Sequence, residues 1–143
     1  MKEILSCPEC GASQTEDVTC WDQFCAVLGW EWQDHELQTK HFLTVASYNL
    51  QHPSRFTDEA IVGLRETFRD HLKDGLPISE IRKQVSQALA GSQTVLKKAK
   101  DQNLVPCEWK MTIADVFHSN QPEGAAKRVQ KWAESILEEI RNH

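Results

Sequence analysis

Thiols and imidazoles are the groups in this chain best suited to chemistry, with five cysteines and six histidines in 143 residues. Two of the cysteines stand in the run Cys7-Pro8-Glu9-Cys10-Gly11. Two residues between thiolates let both sulfurs reach one ion at ~2.3 Å, and a glycine after the second permits the tight turn this requires. The spacing is that of a zinc knuckle, and two sulfurs fill only half of a tetrahedral sphere. Cys20 is the nearest third thiolate, placed where a helix is expected to begin and where the helix N-terminus favours the ionised sulfur. The competing use of such a pair is a redox dithiol. That arrangement normally opens a helix after a strand, and no strand pattern precedes Cys7.

The elements around these residues are read from periodicity. Residues 1–19 have no helical repeat and form the knuckle segment. From Cys20 to about Trp32, the apolar residues Trp21, Phe24, Cys25, Leu28 and Trp32 recur at helical spacing, with Asp17 or Thr19 as the cap. A polar break at residues 33–36 is followed by a second helical run from about Leu37 to Gln51, which Pro53 terminates. The two runs form a helical hairpin over residues 20–53. If its turn centres near Asp34 and His35, Cys20 lies beside residues 49–52 and His41 lies nearer Leu28. His41 and His52 are eleven residues apart, ~16 Å along a helix, so they cannot share one ion. The geometry selects His52 as the fourth ligand, giving the set Cys7, Cys10, Cys20 and His52 around zinc. His41 reads as a buried, hydrogen-bonded histidine and Cys25 as a small core residue. Cys107 has no neighbour at ligand spacing and receives no role.

Residues 57–143 supply the remaining helices. Thr57 caps a third, with Asp58 and Glu59 in its first turn, a face of Ile61, Leu64, Phe68 and Leu72, and Gly75 at its end. Pro77 and Ser79 open a fourth with the face Ile81, Val85 and Leu89 and a stop at Gly91. Residues 92–101 fit either a short helix or a turn, and the stretch around Asn103 to Lys110 is loop. Thr112-Ile113-Ala114-Asp115 has the form of a capping box and starts a short helix toward Phe117. A last amphipathic run, from about Pro122 to Asn142, carries Ala125, Val129, Trp132, Ile136 and Ile140. Trp30, Trp32 and Trp132 read as core or interface residues. No strand is expected. The fold class is all-α: one domain over residues 1–143, a small helical bundle with an N-terminal zinc-knuckle loop packed on the first helical hairpin.

Composition bounds the function. Hydrophobic residues make up 40% and charged residues 26% of the chain, the balance of a soluble globular protein. A net charge of −5 argues against nucleic acid as the partner, because phosphate binding draws on Lys and Arg. No apolar run approaches the ~20 residues that span a bilayer, and the first six residues lack the apolar core of a signal peptide. A cytoplasmic location follows, where thiols stay reduced, with a protein as the expected partner.

The run His41-Phe42-Leu43-Thr44-Val45-Ala46-Ser47-Tyr48-Asn49-Leu50-Gln51-His52-Pro53 resembles a bacterial family catalogued as a domain of unknown function. That family joins an N-terminal Cys-Pro-x-Cys-Gly to a Cys-aromatic helix start and a His-x-Leu-Thr-Val-x-x-Tyr-x-x-Gln-His-Pro helix. Its C-terminal features are a Thr-x-Ala-Asp-Val turn and a Trp-Ala helix. Here they fall at residues 7–11, at Cys20-Trp21, at residues 41–53, at residues 112–116, and at Trp132-Ala133. The chain departs from the family at Phe42, Ala46 and Leu137, where members often carry Arg, Asp and Trp. The resemblance implies an architecture and no activity.

Three functions are compatible with this reading. A closed site of three thiolates and one imidazole is a structural zinc in a protein-interaction or regulatory module. With an open metal position, the chain would be a zinc-dependent, hydrolase-like metalloenzyme, with His41, Tyr48, Asn49 and Gln51 as proton-transfer or supporting groups. A thiol-redox or metal-responsive regulator, in which oxidation of Cys7 and Cys10 ejects the metal, is the third.

Overall fold

The computed structural model describes residues 5–90, 96–104 and 106–141. Among them are seven α-helices and one two-stranded antiparallel pair, so the all-α class holds with a small addition. Strands β1 (Leu5–Ser6) and β2 (Ser13–Gln14) pair Leu5 with Gln14 and Ser6 with Ser13. No strand was expected here, because two residues are too few to show a period of two. The pair brackets the cysteine knuckle.

Two compact units divide the chain at the Gln51–His52 peptide bond and again between residues 105 and 106. The first holds the strand pair and five helices: α1 (Cys20–Trp30), α2 (His35–Thr39), α3 (His41–Leu50), α6 (Ile113–Phe117) and α7 (Ala125–Arg141). Thr19 starts α1 with a capping box, accepting from the Asp22 N–H while the Asp22 carboxylate accepts from the Thr19 N–H. The Thr19 N–H first, and second the Thr19 hydroxyl, which also donates to the Asp22 carboxylate, hold that carboxyl below its ordinary range. Asp34 caps α2, and α2 and α3 are separate helices joined through Lys40, which leaves helical geometry at φ −97° and ψ 9°. The sequence gives no glycine or proline there to mark the break.

Helix α1 packs chiefly against α6, and α7 lies against both α3 and α6. The seam of α7 is Ala125, Ala126, Val129, Trp132, Ala133, Ile136 and Leu137, and each large apolar side chain buried there contributes ~1.5–3 kcal/mol. Trp132 is wholly buried, and Trp30 stacks on Phe117 with centroids 6.0 Å apart. Ile140 is only partly covered. The Thr112–Asp115 capping box forms as read, and α6 ends at His118 in the left-handed region. Three consecutive non-glycine residues, His118, Ser119 and Asn120, adopt positive φ. Arg128 supports this turn by donating to the carbonyls of Val116, Gln121 and Glu123.

The buried face of α1 differs from the expected stripe. It is Cys20, Gln23, Phe24 and Val27, one residue round the helix from Trp21, Phe24, Cys25, Leu28 and Trp32. Trp21 is 49% and Trp32 89% exposed, and Cys25 faces solvent rather than the core. Polar Gln23 sits inside because its amide donates to the Ser13 carbonyl at 2.9 Å, a bond that offsets the cost of burying it.

The second unit is built on α4 (Asp58–Asp74) and α5 (Ile78–Ala90). Thr57 caps α4 through the Ala60 N–H, and Gly75 closes it at φ 70°, where only glycine avoids the left-handed penalty. Ile61 and Phe68 are buried, with Leu64 and Leu72 partly so. On α5, Ile81 is buried but Val85 is 52% exposed; the side chain of Leu89 and the stop at Gly91 lie outside the described residues. Leu96 bridges Phe56, and residues 99–101 form one turn of 3-10 helix. No described helix is long and apolar enough to cross a membrane.

Candidate metal centre

The knuckle between β1 and β2 is a closed turn. The Cys7 N–H donates to the Ala12 carbonyl and the Gly11 N–H to the Cys7 carbonyl, both at 2.9 Å. Gly11 takes φ +81°, which turns the chain back after Cys10 at little cost only in glycine. Backbone amides then aim at the sulfurs: the Cys10 N–H lies 3.5 Å from Cys7 Sγ and the Ala12 N–H 3.4 Å from Cys10 Sγ. Behind the loop, the Glu9 carbonyl accepts from the Cys107 N–H at 3.2 Å.

Cys20 arrives as the first residue of α1. Two glutamine bonds hold this helix start on β2: Gln14 Oε1 accepts from the Cys20 N–H at 2.8 Å, and Gln23 Nε2 donates to Ser13. On the far side of the Cys20 sulfur stands the hydroxyl of Tyr48, from α3, at 3.5 Å. The Tyr48 ring is stacked on Phe24 with centroids 4.2 Å apart and planes inclined by 10°.

His52 follows the end of α3. Gln51, the C-cap, is 1% exposed and fixes this end through its amide, donating to the Met111 carbonyl at 2.8 Å and accepting from the Trp132 indole N–H at 3.2 Å. Pro53 then begins a 3-10 turn. His52 therefore stands between the capped end of α3 and the start of a 3-10 turn.

The structure brings Cys7, Cys10, Cys20 and His52 together. One potential ligand atom from each lies within 4.8 Å of every other, and all four residues are buried. A tetrahedron with Zn–S bonds of ~2.3 Å and a Zn–N bond of ~2.0 Å has edges of ~3.5–3.8 Å. Closing the present spacing onto an ion requires shifts of no more than ~1 Å, within the reach of side-chain rotation. Without a cation, two groups at this centre resist ionisation. The Cys10 thiol is pushed well above its ordinary range by its hydrogen bond to Cys20 and then by burial; the Tyr48 phenol is pushed up by burial first and by Cys20 second. The arrangement is a buried three-sulfur, one-imidazole group that can hold a metal ion.

His41 is elsewhere. Its ring is 57% exposed, and Nδ1 pairs with Glu31 at 2.8 Å. It is hydrogen-bonded as expected but not buried, and Glu31 is eleven residues from Cys20, ~16 Å along the helix axis. Sequence reasoning missed the backbone donors at Cys10 and Ala12, which no residue type announces, and the glutamines at 14 and 23, which read as ordinary surface polar residues.

Fold and site together define a small helical protein with a buried Cys3His group at the foot of its first helix. A family of unknown function, DUF5946, matches residues 5–141, and the chain belongs to it. No curated protein and no solved structure matches the chain.

Proposed function

We propose that Cys7, Cys10, Cys20 and His52 bind one zinc ion, and that this zinc is structural. The observation that carries the reading is the mutual approach of four buried ligand atoms within 4.8 Å. Three thiolates and an imidazole are the donor set of closed zinc sites. Sulfurs this close together fit one ion better than an iron–sulfur cluster, which spreads its thiolates over several metals. Four protein ligands leave no position for an activated water, which speaks against the hydrolase-like reading. The exposure of His41 and its pairing with Glu31 also separate that histidine from the centre.

The zinc fastens the strand pair to the start of α1 and the end of α3. Its binding energy then serves as folding energy for a segment with little core of its own. A fastened knuckle with no open metal position suits a protein-interaction or regulatory module in a reducing, cytoplasmic compartment. Native mass spectrometry and elemental analysis of the purified chain test this: one zinc per chain is expected, with loss in His52→Ala. A metal-free wild-type protein that keeps the same fold overturns the reading.

A further inference from the structure

We propose that Tyr48 sets the reactivity of this centre, by donating a hydrogen bond from its hydroxyl to the Cys20 sulfur. The inference rests on the zinc reading above. In the thiol state either atom of the 3.5 Å Cys20–Tyr48 contact can be the donor. A metal-bound thiolate has no proton, so the phenol O–H alone can donate and the direction of the bond is fixed.

The contact completes a pattern. Cys7 Sγ accepts from the Cys10 amide and Cys10 Sγ from the Ala12 amide, leaving Cys20 to Tyr48. Each sulfur thus has at least one donor. Three thiolates and a neutral imidazole around a divalent cation carry one net negative charge, spread over the sulfurs. Donated hydrogen bonds draw that density away from the lone pairs an electrophile would attack, and charge-assisted bonds of this kind are about twice as strong as neutral ones. Groups beyond the ligands tune a metal site in this manner. Two of these donors are backbone amides, which side-chain exchange other than to proline leaves in place. The third is a side chain, and Tyr48 is 5% exposed, packed on Phe24 and edge-on to Trp21 at 6.0 Å. Its hydroxyl is therefore held at the sulfur by ring packing. Cys20 is thus the thiolate with a donor that a single-atom substitution removes.

The experiment compares zinc-loaded wild-type, Tyr48→Phe and Phe24→Leu proteins for alkylation by iodoacetamide, following zinc release with a chromogenic chelator and the modified cysteine by peptide mass spectrometry. Tyr48→Phe keeps the ring and its stacking and removes only the donor. It is expected to bind one zinc, to release it about tenfold faster, and to be alkylated first at Cys20; Phe24→Leu, which loosens the ring, moves the same way by less. The chain has a single tyrosine, so biosynthetic 3-fluorotyrosine labels this position alone. Its more acidic phenol donates more strongly and is expected to slow release below wild type. That arm needs no substitution and stands even where Tyr48→Phe does not fold. In cadmium-113-loaded protein, the resonance is expected to move in opposite directions for the Phe and fluorotyrosine forms. Zinc-loaded variants that match wild type in rate, alkylation order and cadmium shift overturn the role of Tyr48 and leave the zinc reading intact. Wild-type protein that takes up no zinc overturns both.

Discussion

Gln51→Met is the substitution whose cost the structure states most directly. Gln51 is buried to 1% exposure, and its amide makes two bonds of different environment. Trp132 is fully buried, so methionine leaves its indole N–H without a partner and without water, at ~1–3 kcal/mol. Met111 is only partly covered; its carbonyl can regain water, and the loss there is ~0.5–1 kcal/mol. Methionine matches glutamine in length, opens no cavity, and recovers part of this through apolar burial. The net destabilisation is ~2 kcal/mol, which for a chain of this size lowers the melting temperature by ~6 °C. Thermal unfolding followed by circular dichroism measures it, and a double-mutant cycle with Trp132→Phe isolates the pair. A coupling of ~1 kcal/mol or more is expected. Strictly additive single effects would refute the claim that the Gln51–Trp132 bond holds the end of α3, and with it the account of how His52 is positioned.

The remaining predictions concern the knuckle and its neighbours. Cys7→Ser and Cys10→Ser are each expected to lose zinc and to raise amide hydrogen exchange across residues 5–19, with α4 protected as in wild type; protection unchanged at the knuckle would separate the metal from its folding. Gly11→Ala meets no atom within 4 Å of the new Cβ, so its cost is the left-handed backbone alone, ~1–2 kcal/mol. Competition against a chelator is expected to show roughly tenfold weaker zinc binding. His41→Ala is expected to keep full zinc occupancy and to shift stability by less than ~1 kcal/mol, as for other exposed pairs, and elemental analysis with a melting curve checks both.

The helices were largely legible because their ends carry local chemistry. Thr57 and Gly75 bound α4, the Thr112–Asp115 box starts α6, and the 3.6-residue repeat of Val129, Trp132 and Ile136 marks the buried seam of α7. The four residues of the candidate centre were also readable, from the cysteine spacing and from the antiparallel arithmetic that preferred His52 to His41. What failed was the face of α1. Counting aromatic and apolar residues favours Trp21 and Cys25, but Gln23 takes the inward position because Ser13 supplies its bond. Trp21 remains half exposed, its ring centroid 5.6 Å from that of Phe24 and 6.0 Å from that of Tyr48. The β1–β2 pair and the break at Lys40 are tertiary outcomes: the first is too short to have a pattern, and the second has no breaker residue. The Tyr48 hydroxyl at Cys20 depends on the relative rotation of α1 and α3, which neither helix encodes alone.

X-ray absorption at the zinc edge of the purified protein reads the coordination sphere itself. Three sulfurs at ~2.3 Å and one nitrogen at ~2.0 Å, with no oxygen in the sphere, are the result predicted here. A sphere with two sulfurs, or one that includes a water oxygen, would contradict it.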